Sequence, residues 1–331
     1  MRSTINVVIG FLMVMPILLV SYQLGTPKNL TTATVSNYLN QPALKLPLSE
    51  AQAKKPVLPQ RKIEMADLYL NSATALAWDY KNNFFYFSKN IDTPRPIASL
   101  TKLVSAAVVM DTVSLSDNVT VSKEAIQNEG SQGDLHEGEI LTVHDLLAAA
   151  LIESSNDAAY ALAEYVGGKL PTHPESPTTP VRAFVRAMNQ KFNDLGLVQT
   201  NFTDPTGLED KKSFSTAHDL ANFIKYLRQN SNYQEIWNLM ELKTYSAKSL
   251  NGIANHEFKT TNPFFGEFNN IIGGKTGFTN TALGNMMLVL KNDNDLETIY
   301  LVLGSEDRFG DTKKLADWTA SAWQWPVETK K

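Results

Sequence analysis

Strand-forming segments lie at both ends of the folded part of this chain, and helical patterns dominate the stretch between them. Residues 68–79 and 84–88 flank the turn-forming stretch 80–83, a combination that predicts a β-hairpin. Near the other end, 286–290 and 298–303 are again rich in residues that favour strands. Such strands are buried best when the first and last pair in one sheet with helices packed beside it. We therefore predict an α+β fold.

Helical periodicity accounts for most of the intervening chain. The spacing of Thr142 and Asp145 is typical of a capping box at a helix start, and Gly167 with Gly168 forms a stop signal. Four prolines between 169 and 180 predict a loop. The predicted helices cover 98–111, 142–153, 157–167, 181–195, 216–230 and 311–323.

The N-terminus carries an export signal. Residues 5–20 are almost wholly apolar and, extended to residue 25, reach about the 20 residues that a bilayer span requires. Because small residues suited to cleavage do not follow directly, we favour an uncleaved signal anchor over 1–25, with a cleaved signal peptide as the alternative. Residues 26–64 contain five prolines among polar residues, which is typical of a flexible tether. The folded domain is expected over 65–331 of an exported, membrane-tethered protein.

Composition removes several classes of function. The chain has no cysteine, which excludes a thiol nucleophile, a Cys-bound zinc site and a disulfide framework. Its 30 basic and 34 acidic residues give a formal net charge of −4, so no basic face for nucleic acid is indicated. The five histidines form no His-Glu-x-x-His pair of the kind that binds catalytic zinc.

The first candidate motif is Ser-Leu-Thr-Lys at 99–102, preceded by the proline-containing stretch 94–98 that marks a helix start. A three-residue spacing places Ser99 and Lys102 on one face of that helix. A serine hydroxyl needs a base to become a good nucleophile, and a lysine serves only when neutral, a state that burial or a second cation favours. Alternatively, the pattern is a helix cap beside a solvated lysine.

The second candidate motif is Ser-x-Asn, which occurs four times. Ser154 and Asn156 lie between two apolar helical runs, where polar side chains can face a cleft, although helix capping explains them too. Residues 116–118 match a Ser-Asp-Asn signature letter for letter, but they follow Ser99 closely in a polar turn, so we reject them. The four occurrences are 88–90, 116–118, 154–156 and 249–251.

The third candidate motif is Lys-Thr-Gly at 275–277, within the segment Gly-Gly-Lys-Thr-Gly-Phe-Thr at 273–279. Glycines on both sides of Lys275 allow a close backbone approach on a strand, along whose edge a ligand can lie. A hairpin turn with an incidental lysine is the structural alternative. The three motifs stand in order, about 55 and 120 residues apart.

This ordered set resembles the penicillin-recognising serine D,D-peptidases, specifically the low-molecular-weight D-alanyl-D-alanine carboxypeptidase family. The resemblance implies a β-lactamase-like α+β fold, in which an antiparallel sheet flanked by helices meets a mostly helical lobe, with the active site between them. It extends beyond the motifs through residues 94–102, 153–159, 204–208, 215–220 and 302–308.

The resemblance also implies roles for individual residues. Ser99 would attack the carbonyl of the penultimate D-Ala, with Lys102 as its base. Ser154 would relay a proton to the leaving amine, while Lys275 keeps the local field positive. The backbone N–H groups of Ser99 and Phe278 would form the oxyanion hole. No metal and no cofactor is implied.

Further residues of the family pattern would hold the substrate. Asn156 would fix the substrate amide and Thr276 the terminal carboxylate. Gly277 and Phe278 complete the substrate-binding strand, and Arg308 is a candidate carboxylate partner that a surface salt bridge would explain as well. The expected partners are the peptidoglycan stem peptide as substrate and β-lactams as covalent inhibitors.

The function implied is that of a serine-type D-alanyl-D-alanine carboxypeptidase that removes the terminal D-Ala of peptidoglycan stem peptides. Two alternatives remain. Phe-Thr-Asn at 278–280 also resembles D,D-endopeptidases that cut peptidoglycan cross-links. The same fold could instead serve as a catalytically silent wall-binding module.

Overall fold

The structure is a computed structural model that describes residues 58–127, 134–171, 178–208, 212–292 and 295–326. The signal anchor predicted over 1–25 and most of the tether predicted over 26–64 lie outside these residues. Within the described part, no helix combines the length and apolar character needed to cross a membrane.

Eleven strands are present in the described part of the chain, five of them in one sheet and the others in short two-stranded pairs. The strands are β1 (Gln60–Arg61), β2 (Thr74–Asp79), β3 (Phe84–Lys89), β4 (Asn118–Thr120), β5 (Ile140–Thr142), β6 (Thr244–Lys248), β7 (Asn255–Lys259), β8 (Ile271–Thr279), β9 (Leu283–Lys291), β10 (Glu297–Ser305) and β11 (Trp323–Gln324).

Eight α-helices are found among the described residues, together with two 3₁₀ turns at Ala98–Leu100 and Ser231–Tyr233 and a π-helical turn at Ala149–Glu153. The α-helices are α1 (Thr101–Thr112), α2 (Lys123–Ile126), α3 (Val143–Ala148), α4 (Asn156–Gly167), α5 (Pro180–Asp194), α6 (Ala217–Gln229), α7 (Gln234–Met240) and α8 (Arg308–Ala322).

The central sheet is antiparallel throughout, in the order β3-β2-β10-β9-β8. Strand β2 from the start of the fold pairs with β10 from its end, with Leu76 opposite Leu301. This pairing is the one expected from strands at both ends of the domain, and the predicted α+β class is confirmed.

Helices cover both faces of the sheet, so alternate residues of one strand enter different cores. Leu76 packs in the larger core with α1 and α4, whereas its neighbours Ala75 and Ala77 pack with Leu315 of α8. All nine residues of β10 are consequently buried. Strand β8 at the sheet edge faces the helical lobe, which leaves a cleft between the two.

Part of the predicted tether belongs to the fold. Gln60 and Arg61 of β1 pair with Gln324 and Trp323 of β11. The ordered domain therefore includes residues before position 65, because a strand after α8 offers a free edge to the incoming chain.

The predicted helices match the structure closely, with one informative exception. The capping box of Thr142 and Asp145 is present at the start of α3. The helix predicted over 142–153, however, becomes a π-helical turn after Ala148. Such turns widen a helix locally and often occur at functional sites. Here the turn leads directly into Ser154.

Candidate active site

Ser99 lies in the 3₁₀ turn that precedes α1, not inside the first α-helical turn as predicted. The turn begins at Ala98, whose φ of 48° is unfavourable for a residue with a side chain. Only a glycine at position 207 allows the chain to pass this close to the turn, since a Cβ atom there would lie 2.0 Å from the Ala98 carbonyl oxygen. Backbone strain held by its surroundings in this way is typical of a functional turn.

Lys102 is fully buried beneath Ser99. Its Nζ lies 2.8 Å from Ser99 Oγ, 2.6 Å from Asn156 Oδ1 and 2.9 Å from the Thr206 carbonyl oxygen. Burial lowers the pKa of Lys102 to about 7, although the negative charge of Asp204 acts to raise it. The lysine is thus available in its neutral form near neutral pH, as a base for Ser99 must be.

The Ser154 motif combines the two roles that the sequence left open. The π-helical turn ends at Ser154 in a left-handed conformation with φ 70°, and its Oγ accepts a hydrogen bond of 2.7 Å from Lys275 Nζ. Ser155 caps α4 by accepting a hydrogen bond from the backbone N–H of Ala158. Asn156 reaches Lys102. Capping is therefore performed by the middle residue, while the outer two face the lysines.

Lys275 lies on β8 opposite the Ser99 turn and is fully buried. Burial, followed by the positive charges of Lys102 and Arg308, lowers its pKa well below the usual value. Two buried lysines that repel each other do not both carry a proton readily. This works against the expectation that Lys275 keeps the local field positive.

Close contact between β8 and the Ser99 turn explains the glycine of the third motif. A Cβ atom on Gly277 would lie 2.9 Å from the backbone nitrogen of Ser99. Any side chain there would push the strand away from the turn. The segments that carry the N–H groups of Ser99 and Phe278, expected to form the oxyanion hole, are therefore adjacent.

The structure brings all nine predicted site residues together. A cleft of about 400 Å³ lies above the two lysines, and Phe278 at its rim is 57% exposed. The predicted residues that line this cleft are Ser99, Ser154, Asn156, Thr276, Gly277, Phe278 and Arg308.

Arg308 begins α8 and turns towards the cleft. Its guanidinium lies 4.5 Å from the ring centroid of Phe309 and 5.7 Å from that of Phe278. Burial lowers its pKa. Among the residues that the structure describes, no carboxylate lies within ion-pairing distance of Arg308, so the salt-bridge explanation finds no partner there.

Two further residues of the site carried no role in the sequence analysis. Thr206 was noted only as part of a family-like stretch, yet its carbonyl contacts Lys102. Thr261 lines the cleft, and its Oγ1 lies 2.6 Å from Thr276 Oγ1. Its N–H donates to the carbonyl of Ile152, which links the segment after β7 to the π-helical turn that ends at Ser154. No local pattern marks Thr261, because both contacts come from distant segments.

The rejected motif at 116–118 lies elsewhere. Ser116 Oγ is 2.9 Å from Ser114 Oγ, and Asp117 accepts a hydrogen bond from the Tyr165 hydroxyl. Ser116 and Asp117 lie in the turn before β4, as predicted, Asn118 begins the strand, and none of the three lines the cleft.

Comparison with known proteins places this geometry in a family. The sequence model of the D-alanyl-D-alanine carboxypeptidase family, peptidase family S11, matches residues 61–307. The chain belongs to this family. The predicted resemblance is therefore confirmed. The chain is a serine-type D-alanyl-D-alanine carboxypeptidase, a class of enzyme that acts on the cell wall outside the cytoplasm.

Curated relatives include both exo- and endo-acting enzymes. A D-alanyl-D-alanine endopeptidase of Pseudomonas aeruginosa is 33% identical over 257 residues, which are 75% of this chain and 77% of the relative. The D-alanyl-D-alanine carboxypeptidase DacF of Bacillus subtilis is 29% identical over 248 residues, 72% of this chain and 59% of the relative.

Among solved structures, the Streptomyces K15 DD-transpeptidase aligns with a TM-score of 0.69 at 26% identity, covering 78% of this chain and all of that one. The D-alanyl-D-alanine carboxypeptidase of Mycobacterium tuberculosis aligns with a TM-score of 0.67 at 22% identity, covering 81% of this chain and 99% of that one. The latter supports the fold alone. Both comparisons agree with the predicted β-lactamase-like architecture.

Proposed function

We propose that the chain removes the terminal D-Ala of peptidoglycan stem peptides through an acyl-enzyme on Ser99. The observation that carries this proposal is the convergence of Ser99 with a buried lysine whose pKa is about 7. Ser154 lines the same cleft, and its hydroxyl accepts a hydrogen bond from a second buried lysine, Lys275. A nucleophile, a neutral base and a proton relay are the minimum set for acyl transfer.

In the acylation step, Lys102 Nζ takes the proton of the Ser99 hydroxyl while Oγ forms a bond to the carbonyl carbon of the penultimate D-Ala. The carbonyl oxygen becomes an oxyanion, which the N–H groups of Ser99 and Phe278 stabilise. The bond between this carbon and the nitrogen of the terminal D-Ala then breaks. Ser154 gives its proton to that nitrogen. Ser154 is then reprotonated by the proton that Lys102 took from Ser99, which passes through the hydrogen-bond network of the site.

Substrate binding changes the charge of the site. The terminal carboxylate of the stem peptide lies near Thr276, Arg308 and Lys275. An anion close to Lys275 raises its pKa, because opposite charge favours the protonated amine. The positive field expected of Lys275 is thus restored by the substrate itself.

Hydrolysis completes the cycle. A water molecule gives a proton to Lys102 and adds to the ester carbonyl, the bond from the carbonyl carbon to Ser99 Oγ breaks, and Oγ regains a proton. A β-lactam enters by the same first step, because its ring amide is broken by Ser99. Its leaving nitrogen remains tethered to the acyl group, so the acyl-enzyme persists.

The test measures release of D-Ala from a diacyl-Lys-D-Ala-D-Ala peptide, together with labelling by a fluorescent penicillin. We expect both activities in the parent and a loss of at least about 10⁴-fold in Ser99→Ala. Penicillin labelling without D-Ala release would contradict the carboxypeptidase proposal. Absence of both in the folded parent would instead favour the silent wall-binding module.

A D,D-endopeptidase is the second candidate function. Two relatives named D-alanyl-D-alanine endopeptidase, from Pseudomonas aeruginosa and Escherichia coli, are 33% and 31% identical and are covered over 77% and 79% of their lengths. The carboxypeptidase DacF is covered over only 59% of its length. Digestion of cross-linked muropeptide dimers separates the two functions, since a strict carboxypeptidase leaves the cross-link intact.

The apolar N-terminal segment is proposed to hold the enzyme at the outer face of the cytoplasmic membrane. Its composition over residues 5–20 supports an anchor, and the polar stretch that follows provides reach towards the wall. Membrane fractionation of the full chain beside a chain lacking residues 1–25 tests this proposal. Equal partition of both into the soluble fraction would contradict it.

A further inference from the structure

The loop of residues 204–208 forms one side of the Lys102 site, and the carboxylate of Asp204 holds it in place. Asp204 Oδ1 accepts hydrogen bonds from the backbone N–H groups of Thr206 and Gly207, both at 2.7 Å, and of Leu208 at 3.1 Å. The Thr206 hydroxyl donates to the same oxygen. Hydrogen bonds to a charged acceptor are stronger than neutral ones, so this oxygen fixes the path of the loop.

The loop packs against α1, the helix that carries Lys102. Ser105 of α1 donates to the Pro205 carbonyl at 2.6 Å, and Gly207 packs against the Ala98 carbonyl. These contacts leave the Thr206 carbonyl oxygen 2.9 Å from Lys102 Nζ. A shift of the loop would therefore withdraw a hydrogen-bond acceptor from the base.

The Thr206 carbonyl oxygen has a chemical role because a neutral amine has only two N–H donors. Neutral Lys102 has two N–H donors and one lone pair, whereas carbonyl oxygens can only accept. If the oxygens of Asn156 and Thr206 occupy both donors, the lone pair is left for the proton of the Ser99 hydroxyl. This is the orientation that deprotonation of Ser99 requires.

We propose that Asp204 is a positioning residue for acylation, which acts by holding the Thr206 carbonyl on Lys102 so that the amine's lone pair faces Ser99. The proposal rests on the function proposed above, in which Lys102 is the base. Asp204 touches neither substrate nor Ser99, and its effect passes through the loop.

The charge of Asp204 contributes a second, separable effect. Of the titratable groups near Lys102, Lys275 is a second buried amine whose pKa is lowered, and buried Asp157 follows Asn156 at the start of α4. Burial lowers the pKa of Lys102, and Asp204 partly offsets this. Removing the negative charge while keeping an acceptor oxygen should therefore lower the pKa of Lys102 further.

The experiment compares Asp204→Asn with Asp204→Ala and with a matched control, Asp219→Asn. Asp219 is a carboxylate of the helical lobe that accepts from the Gln199 N–H and the Thr200 hydroxyl and, among the described residues, makes no hydrogen bond to the Thr206 loop; it is buried, whereas Asp204 is half-buried. The rate constant for acylation by a fluorescent penicillin is measured from pH 5 to pH 9, with the folded fraction taken from circular dichroism.

In Asp204→Asn we expect the midpoint of the acid limb to fall by about half a pH unit or more, with the plateau rate changed by less than about threefold. In Asp204→Ala the plateau should fall at least about tenfold, because the acceptor that fixes the loop is lost. Asp219→Asn should keep the midpoint of the parent.

A plateau rate per folded molecule in Asp204→Ala within about threefold of the parent would overturn the proposal, and so would an equal loss in Asp219→Asn. An unchanged or higher midpoint in Asp204→Asn would overturn the separate effect of the charge. If Asp204→Ala does not fold, Asp204→Glu takes its place, because the longer side chain keeps the charge but displaces the acceptor oxygen. A plateau rate equal to that of the parent in this variant would overturn the proposal. Failure of the proposed function appears differently, as penicillin labelling that survives Ser99→Ala or is absent from the parent.

Discussion

Two regions of the domain withdraw basic side chains from solvent, fully in one and partly in the other, and surround them with opposite kinds of partner. In the cleft, the hydrogen-bond partners of Lys102 and Lys275 are neutral oxygens. Where α6 meets the sheet, Arg228 donates to both carboxylate oxygens of Glu297, at 2.9 and 3.0 Å. Tyr80 completes that second cluster by donating to the same carboxylate.

The difference shows in the protonation of each region. Burial lowers the pKa of both lysines, since no adjacent carboxylate stabilises the ammonium form in hydrogen-bonding contact. Burial raises the pKa of Glu297, but hydrogen bonds from Arg228 and Tyr80 outweigh it and the pKa lies below the usual value. Buried cations without neutralising partners destabilise a fold, so their presence marks a reactive site, whereas a fully paired cluster serves the structure.

The sharpest test of this contrast is Lys102→Met. We expect acylation by penicillin to fall by at least about 10³-fold, because Ser99 loses its base. We also expect a gain in the free energy of unfolding relative to the parent that is larger at pH 6 than at pH 9.5. The measurement is urea unfolding at both pH values.

The sign follows from linkage. The folded pKa of about 7 lies below the ordinary 10.5, so the unfolded chain binds more protons between these values. The penalty of Lys102, of the order of 5 kcal/mol, is complete below pH 7 and disappears towards pH 10.5. Lys314→Met, at an exposed position of α8, is the control. A pH-independent difference would contradict the prediction.

The paired cluster should respond in the other direction. Glu297→Gln is expected to lower the free energy of unfolding by about 2 kcal/mol at pH 7, because it leaves the half-buried Arg228 without its counter-charge. Penicillin labelling per folded molecule should not change. Thermal or urea unfolding measures the first effect, and Glu306→Gln at an exposed position is the control.

This cluster also has its own pH dependence. The folded pKa of Glu297 lies below 4.5, so its stabilising effect is present above that value and is lost as the pH falls through the folded pKa. The difference between Glu297→Gln and the parent should therefore shrink under acid conditions. A loss of labelling at pH 7 in the folded variant would show that the two regions are coupled.

In the parent enzyme, the acylation rate should fall about tenfold per pH unit below about pH 7, since only neutral Lys102 accepts the proton of Ser99. Stopped-flow labelling between pH 5 and pH 8 measures this limb. A rate that stays constant down to pH 5 would exclude Lys102 as the titrating base.

Arg308→Gln should have the smallest effect. We expect KM for a D-Ala-D-Ala peptide to rise about tenfold, the value of one charge-assisted hydrogen bond to a carboxylate. Steady-state release of D-Ala measures it. Arg182→Gln on the exposed side of α5 should leave KM unchanged, and an equal rise there would assign the effect to overall charge.

Sequence patterns predicted most of the element types because these depend on nearby residues. The capping box at Thr142 and the three-residue spacing of Ser99 and Lys102 are local signals, and both appear in the structure. The short two-stranded sheets β4–β5 and β6–β7 were not predicted. Many of their residues are half-buried or exposed, so hydrophobic alternation is weak there.

By itself, the sequence determined the strand-helix-strand order, the helix that aligns serine with lysine, and the ordered motifs that indicated the family. Tertiary structure decided the chemistry of the two lysines. Lys102 meets the Thr206 carbonyl across 104 positions, and Lys275 meets Ser154 across 121. Removal of both amines from water, together with their mutual repulsion, arises only when these distant segments pack together. No local pattern can therefore encode the lowered pKa values on which the proposed reaction depends.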